Sequence, residues 1–169
     1  MVDRRHSLRI RSPAVPGPAC DAAGVQSQFR VRVTVRSYEI DFNGHVNHAV
    51  YHQYGEHARM SHFLAAGYTL DAQRDSGTGV VILESRIRYL RELRLGEEIE
   101  VTSDISFGPR KVFHIDHQIL RADGTLAAEI NGVFGLLDSR TRKLIPEPGD
   151  RFAELLSRPE LIGLAAARS

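Results

Sequence analysis

The feature that most constrains the fold of this chain is a single long helical segment that is followed almost entirely by strands. Small and apolar residues recur there at spacings of three and four, which predicts one face of a helix. They are Val50, Tyr54, Ala58, Ser61 and Ala65. Asn47 is suited to cap the start of this helix, and Gly67 is suited to end it. The segment therefore predicts one helix of about five turns.

Strict alternation of apolar and polar residues predicts β-strands on both sides of this helix. One strand precedes it, over residues 29–36, and four follow it, over residues 81–89, 99–107, 113–119 and 126–137. The four later strands are joined by short connections, of which Asp123-Gly124 is a strong hairpin signal. Short connections predict antiparallel pairing of successive strands. A further short helix is predicted over residues 149–157.

These elements predict an α+β fold in which a curved antiparallel sheet of about five strands wraps the long helix. The helix must bury its apolar face, and the sheet is the only surface available to it. A chain of 169 residues is long enough for one domain with a substantial core.

Residues 1–28 differ in composition from the rest of the chain. Four arginines and two aspartates give this stretch a net charge of +2, and it holds three of the seven prolines without hydrophobic periodicity. It is therefore interpreted as a flexible basic tail, with the folded domain over residues 29–169. The prolines interrupt any secretory signal, and no apolar run is long enough to span a membrane.

Composition also limits the partners and the compartment. The single cysteine, Cys20, argues against a disulfide scaffold or a cysteine zinc site, so we expect a reducing, cytoplasmic setting. A formal net charge of +1 argues against a general nucleic-acid binder. We expect no cofactor.

The segment that joins the first strand to the helix concentrates chemically useful groups. Asp41 lies on a glycine-containing turn just before the helix, and His48 lies in its first turn. Unpaired N–H groups at a helix start favour an anion or a developing oxyanion. Together these groups suit hydrolysis of an acyl group. On spacing alone, however, Asp41 is better explained as a carboxylate that stabilises its own turn.

The wider pattern is more specific. The string Asp41-x-x-Gly44-His45-Val46-Asn47, followed by Tyr51 and Glu56-x-Ala58-Arg59, resembles the hotdog-fold acyl-CoA thioesterases related to 4-hydroxybenzoyl-CoA thioesterase. The resemblance extends over about residues 29–148. It implies a hotdog fold, hydrolysis of acyl thioesters on coenzyme A or an acyl carrier protein, and a homodimer or homotetramer with its active site at the subunit boundary.

The resemblance also implies roles for particular residues. Asp41 would attack the thioester carbonyl or activate water for that attack, and His48 would assist it. The backbone N–H of His48, and less directly that of Ala49, would polarise the carbonyl. Asn47, Ala49 and Tyr51 are the substrate-binding residues expected around this point.

Two charged patterns have competing explanations. Arg88 and Arg110 are candidates for attracting the phosphates of the carrier, although an ordinary charged strand face explains them equally well. His48, His52 and Glu56 have metal-ligand spacing on a helix, but they lack the His-Glu-x-x-His order of a zinc hydrolase. We therefore expect a polar helix face and no metal site.

Two other functions remain open at this point. A hydratase or dehydratase of hydroxyacyl thioesters shares the fold but uses a different catalytic string. A non-catalytic module with the same fold would bind acyl-CoA without hydrolysing it.

Overall fold

A computed structural model describes residues 28–165 of the chain, so the proposed tail, with Cys20, lies outside the described residues. The helices and strands follow in this order: β1 (Phe29–Thr34), a 3-10 helix (Ser37–Glu39), α1 (His48–Ala66), α2 (Leu70–Ser76), β2 (Thr78–Tyr89), β3 (Glu98–Phe107), β4 (Val112–Arg121), β5 (Leu126–Asp138), β6 (Lys143–Leu144), α3 (Pro148–Leu155) and a second 3-10 helix (Pro159–Ile162). Within residues 28–165, no helix is long and apolar enough to cross a membrane.

The strands form one antiparallel sheet in the order β1-β3-β4-β5-β2, with the short β6 paired to β5. Helix α1 packs against the sheet, mainly on β3 and β1. The predicted α+β fold with one long helix and a wrapping sheet is confirmed. The helix α2 was not predicted, although Thr69 caps its start and Gly77 ends it in a left-handed conformation.

The predicted pairing of successive strands fails at one place. β2 lies at one edge of the sheet beside β5, whereas β3 lies on the other side, between β1 and β4. The connection over residues 90–97 therefore crosses the start of α1 instead of forming a hairpin. The Leu93 carbonyl accepts from the Val46 N–H at 2.8 Å, and the Ala127 carbonyl accepts from the N–H groups of Leu90 and Arg91 at 2.8 and 3.0 Å. This crossing places residues 90–92 beside the helix start.

The ends of α1 are as predicted. The Asn47 side chain accepts a hydrogen bond from the Ala49 N–H, and Gly67 adopts a left-handed conformation with φ of 99°. The predicted face is correct through Ala58 but wrong at Ser61 and Ala65, which are only half-buried. The helix instead continues its buried face through its polar residue His62, which lies next to the buried Phe63.

The core has two parts that lie along α1. The first surrounds the amino-terminal half of the helix and includes Val46, Tyr51, Tyr54 and Leu93. The second surrounds its carboxyl-terminal half, and its aromatic members pack around Phe152 of α3. The Asp41-to-Asn47 motif that precedes α1 therefore packs against the first part of the core through Val46.

Two buried histidines join the helix to the sheet and its surroundings. His62 bridges Ser103 and the Leu161 carbonyl, with ring nitrogens 3.1 and 2.7 Å from the two oxygens. His117 donates from Nδ1 to the Thr102 carbonyl at 2.8 Å. Burial lowers the pKa of His117 to about 4, and the hydrogen bond to Thr102 raises it by a smaller amount. Burial also lowers the pKa of His62. Both rings are neutral at pH 7.

We expect the protein to lose stability as the pH falls from about 6.5 to about 4. In that range an unfolded chain protonates residue 117 and the folded chain does not, so the free energy of unfolding rises with pH. Because a tenfold change in an equilibrium corresponds to about 1.4 kcal/mol, a pKa of about 4 for His117 contributes about 3 kcal/mol across the whole of this pH range. Urea denaturation at pH 7 and pH 5 measures the effect. In the His117→Gln variant, the free energy of unfolding should depend less on pH than in the wild type. The control His114→Gln, on the exposed face of the same strand, should keep the pH dependence of the wild type. Equal pH dependence in all three proteins would contradict the assignment.

Candidate active site

A surface cavity of about 310 Å³ lies where the connection over residues 90–97 crosses the start of α1. It is lined by Asp41, His45, Val46, His48, Tyr51, Tyr89, Leu90, Arg91 and Glu92. Three of the residues singled out from the sequence, Asp41, His48 and Tyr51, are therefore brought together. They come from the turn and from α1, and the opposite wall comes from the end of β2 and the crossing connection.

Asp41 is held in place by its own turn. The Asp41 carbonyl accepts from the Gly44 N–H at 3.0 Å, and Gly44 has a φ of +83°, which explains a glycine at this position. Oδ1 of Asp41 accepts from the Asn43 N–H at 2.8 Å and lies 3.9 Å from Nδ1 of His45. Among residues 28–165, no hydrogen-bond donor reaches Oδ2 of Asp41. The turn therefore orients the carboxylate and leaves one oxygen available.

The helix start supplies a free donor at His48. The N–H of Ala49 donates to Oδ1 of Asn47, and that of Val50 donates to the Asn47 carbonyl. In the part of the chain that the structure describes, the N–H of His48 has no acceptor. The Asn47 side-chain oxygen and the Ala49 N–H are thus paired with each other, and neither residue lines the cavity. The His48 N–H is the donor best placed to meet a ligand oxygen, at the positive end of the helix dipole.

Two tyrosines form the wall of the cavity. Tyr51 is almost fully buried, and its ring meets that of Tyr89 edge to face, with centroids 5.1 Å apart. The Tyr89 hydroxyl donates to the His48 carbonyl at 3.2 Å. Burial raises the pKa of Tyr51, so this phenol stays protonated. These contacts fix β2 against the helix start.

The two candidate phosphate-binding arginines lie elsewhere. Arg88 pairs with Glu129 at 2.9 Å on the sheet, and Arg110 is exposed in the turn between β3 and β4. Arg91, which the sequence reasoning did not single out as a site residue, lines the cavity and donates to the Leu90 carbonyl. Since Arg91 reaches the site only through the crossing connection, no local motif could have indicated it.

A second missed residue is Glu39, two positions before Asp41. Its buried carboxylate accepts from the Arg36 N–H at 2.7 Å, from the Arg36 guanidinium at 3.0 Å and from the Tyr54 hydroxyl at 2.8 Å. Burial alone would raise the pKa of Glu39, but these hydrogen bonds hold the pKa below its usual value. The Glu39 carbonyl also accepts from the Asn47 N–H at 2.9 Å. Glu39 therefore ties the segment that carries the Asp41 turn to Arg36, just after β1, and to Tyr54 of α1.

We expect Glu39→Gln to destabilise the protein by about 2 kcal/mol, because a buried charge-assisted network loses its charge and leaves polar groups poorly paired. Tyr54→Phe removes only one neutral donor and should cost about 1 kcal/mol. Chemical denaturation of both variants beside the wild type measures the difference. A Glu39→Gln variant as stable as the wild type would show that this network does not hold the turn.

The described residues offer little to a metal ion. Among residues 28–165, no group of three or more histidine, cysteine, aspartate or glutamate side chains is arranged to hold one. On the helix stripe of His48, His52 and Glu56, His52 lies 3.5 Å from the Ser85 hydroxyl, and Glu56 pairs with Arg59 at 3.3 Å.

Comparison with known proteins agrees with this architecture. Residues 35–157 match the family described as the thioesterase-like superfamily. Two chloroplastic acyl-acyl carrier protein thioesterases of Arabidopsis thaliana are similar to the chain. One is 31% identical over 120 residues, which cover 70% of this chain and 63% of that protein. The other is 32% identical over 136 residues and covers 72% of each.

A solved structure shows the same fold. A hypothetical protein from Staphylococcus aureus, determined in complex with CoA, superimposes with a TM-score of 0.72 at 24% identity, covering 88% of this chain and 100% of that one. The curved antiparallel sheet around α1 is thus the hotdog fold. The family match spans most of the chain, including the Asp41 turn, α1 and the crossing connection. The chain belongs to the thioesterase-like superfamily, whose hotdog-fold members include acyl thioester hydrolases.

Proposed function

We propose that this protein hydrolyses acyl thioesters to a free acid and a thiol. The observation that carries the proposal is that the Asp41 carboxylate and the unpaired N–H of His48 belong to one cavity. The first can attack or activate water, and the second can stabilise the oxygen of the carbonyl under attack. The similarity to acyl-acyl carrier protein thioesterases supports the same chemistry.

The reaction needs little acid catalysis. A thiol has a pKa near 8.5, so a thiolate leaves with much less need of a proton than an alkoxide or an amine does. The carbonyl oxygen of the substrate would accept from the His48 N–H at the positive end of α1, where negative charge is favoured as it develops. The exposed His48 side chain belongs to a residue that lines the same cavity, and it can hydrogen-bond to the departing sulfur.

Two routes are available to Asp41. As a general base it removes a proton from water, and the resulting hydroxide adds to the carbonyl and expels the thiolate. As a nucleophile its free oxygen adds to the carbonyl, expels the thiolate and leaves a mixed anhydride, which water then hydrolyses. A single turnover in ¹⁸O-labelled water with enzyme in excess can identify the anhydride route. Label in the Asp41 carboxylate requires the anhydride and attack of water at the Asp41 carbonyl, whereas label only in the product acid is given both by the base route and by attack of water at the acyl carbonyl of the anhydride.

We propose that two copies of the chain pair edge to edge to complete the site. β1 and β2 are the free edges of the described sheet, and β2 carries the exposed apolar side chains of Ile82, Leu83 and Tyr89. An edge strand with exposed apolar residues needs a partner or a cover. A homodimer joined at β2, alone or within a homotetramer, would cover these side chains. Light scattering after size-exclusion chromatography gives the mass.

The carrier of the acyl group is either coenzyme A or an acyl carrier protein. Arg91 in the cavity wall pairs with no carboxylate of the described chain and would be the nearest cation to a phosphate at the cavity mouth. We further propose that the protein works in a reducing compartment such as the cytoplasm, in keeping with its single cysteine.

The test is release of free thiol from acyl-CoA and acyl carrier protein thioesters with short, long and aromatic acyl groups. Turnover of at least one class supports hydrolysis. Binding of these thioesters without thiol release from any of them would contradict the proposal and favour a non-catalytic acyl-CoA-binding module.

A further inference from the structure

A second cavity, of about 320 Å³, lies between α1 and β2 and is floored by β4 and β5. On α1 it is lined by His52, Gly55, Glu56 and Arg59, and on β2 by Ile82 and Ser85. Gly55 provides space here, because a methyl group at that position would lie only 3.0 Å from the Ile130 side chain and 3.2 Å from that of His117. Helix α1 and the sheet therefore lie too close together at this point for a larger residue, and a side chain at position 55 would crowd the floor of the cavity.

The two cavities follow one another along the same elements. His48 and Tyr51 line the first, and the residues one turn later on the same helix face, His52 and Gly55, line the second. On the opposite wall, Tyr89 of β2 borders the first cavity and Ser85 borders the second. The second cavity therefore lies one helical turn further along α1 than the Asp41 cavity, between the same helix and strand.

Arg59 is a mostly buried cation at the end of the second cavity that lies farther along α1 from His48. Its side chain is only 16% exposed, and its guanidinium carbon lies 4.9 Å from the centre of the Phe134 ring. Nη2 donates to Oε1 of Glu56 at 3.3 Å, but the Glu56 side chain is itself 64% exposed. Within residues 28–165, Nε and Nη1 of Arg59 have no acceptor. The cavity therefore holds a guanidinium that is mostly shielded from solvent, that pairs with Glu56 and that keeps the N–H groups of Nε and Nη1 available to a ligand.

Of the residues that line the cavity, only Glu56 carries a negative charge, and it pairs with Arg59 through a mostly exposed side chain. His117, which also lines the cavity, uses Nδ1 to donate to the Thr102 carbonyl and is neutral, and Ile115, Ile130 and Phe134 are apolar. Burial lowers the pKa of the Arg59 guanidinium, and Glu56 offsets only part of that effect. A buried charge is costly unless a counter-charge accompanies it, and a planar carboxylate matches a guanidinium in a paired hydrogen-bonding geometry.

We propose that the second cavity receives the far end of the acyl group and that Arg59 binds a carboxylate carried there, so that the preferred substrates are thioesters of dicarboxylic acids. This inference rests on the proposed function, because it extends the acyl group from the Asp41 cavity. His48 and Arg59 are separated by about 16 Å along the helix axis, at about 1.5 Å per residue. Helical side chains lean toward the amino terminus, which shortens that gap and suits a chain of roughly eight to ten carbons with bonds of about 1.5 Å.

The test compares two thioesters of equal length, decanoyl-CoA and its carboxyl-terminated counterpart sebacoyl-CoA. For the wild type we expect kcat/KM from thiol release to favour sebacoyl-CoA by about tenfold or more, as a charge-assisted pair would give. Arg59→Met keeps an unbranched side-chain stem and removes the charge, so it should lose this preference while still hydrolysing decanoyl-CoA. Arg140→Met, at an exposed arginine in the turn after β5, is the matched control and should keep the preference.

Two further measurements keep the inference open to refutation. Glu56→Gln removes only the competing carboxylate and should increase the preference for sebacoyl-CoA; no change there, or a wild-type preference at or below one, overturns the inference. If neither of these thioesters nor any of the acyl-CoA and acyl carrier protein thioesters named above releases thiol, hydrolysis itself is refuted. Calorimetric titration of the wild type with the two thioesters then decides the role of Arg59, with about tenfold tighter binding of sebacoyl-CoA expected and equal affinity overturning it.

Discussion

Replacing Asp41 with asparagine is expected to lower kcat for thioester hydrolysis by roughly 10²–10⁴-fold. Asparagine keeps the side-chain oxygen that accepts from the Asn43 N–H, so the turn and the neighbouring helix start should be preserved. What is lost is the free carboxylate oxygen, and with it both routes of attack. Thiol-release kinetics at saturating substrate measure the loss, and thermal unfolding checks that the fold is retained.

Asp123→Asn is a suitable control for this experiment. Asp123 occupies a similar turn, between β4 and β5, where its Oδ1 accepts from the Thr125 N–H at 2.9 Å. The two substitutions therefore make the same chemical change in the same kind of turn, but Asp123 does not line the Asp41 cavity. We expect Asp123→Asn to keep nearly full activity. A folded Asp41→Asn variant with the turnover of the wild type would refute the role proposed for Asp41.

Replacing Phe152 with alanine should have the largest effect on stability, a loss of about 3–5 kcal/mol in the free energy of unfolding. Phe152 is fully buried, and its ring centroid lies 5.3–5.8 Å from those of Phe63, Tyr68, Phe107 and Phe113. Alanine would leave a void among four rings that are fixed on different elements and cannot all move inward. Denaturation in urea or guanidinium chloride measures the loss.

The same experiment has an internal comparison. Leu70 is 69% exposed, so Leu70→Ala should change stability by less than about 0.5 kcal/mol. Because Phe152 belongs to the part of the core remote from the Asp41 turn, the folded Phe152→Ala protein should keep its kcat at low temperature. A stability loss near that of Leu70→Ala would mean that α3 is not anchored by this ring.

The parts of the fold that were predicted correctly are those encoded by neighbouring residues. The Asn47 cap, Gly67 and the Asp123-Gly124 turn each act over a few residues, and each is found where the pattern placed it. The errors have longer-range causes. Ser61 was assigned to the buried face from its spacing after Ala58, yet the helix buries His62 there, which bonds to partners 41 and 99 residues away. The position of β3 away from β2 likewise depends on β1, with which β3 pairs.

The candidate site divides in the same way. Asp41, His48 and Tyr51 belong to one short segment, and the motif sufficed to predict that they lie together. Arg91 and Glu92 enter the cavity through the crossing connection, so their place could not be inferred before the sheet order was known. The unpaired donors of Arg59 could not be predicted from the sequence either, because residue spacing does not show whether a side chain finds hydrogen-bond partners.

The crossing connection also has a consequence for the order in which the chain can acquire its structure. Val46, beside the Asp41 turn, donates to Leu93, and the segment around Leu93 is in turn held by Ala127. These attachments join positions about fifty and about thirty-five residues apart, so each closes a large loop and carries the entropic cost of doing so. High separation between contacting residues slows folding. The turn that carries Asp41 is short and local, yet its link to the crossing connection is complete only after β5 has joined the sheet.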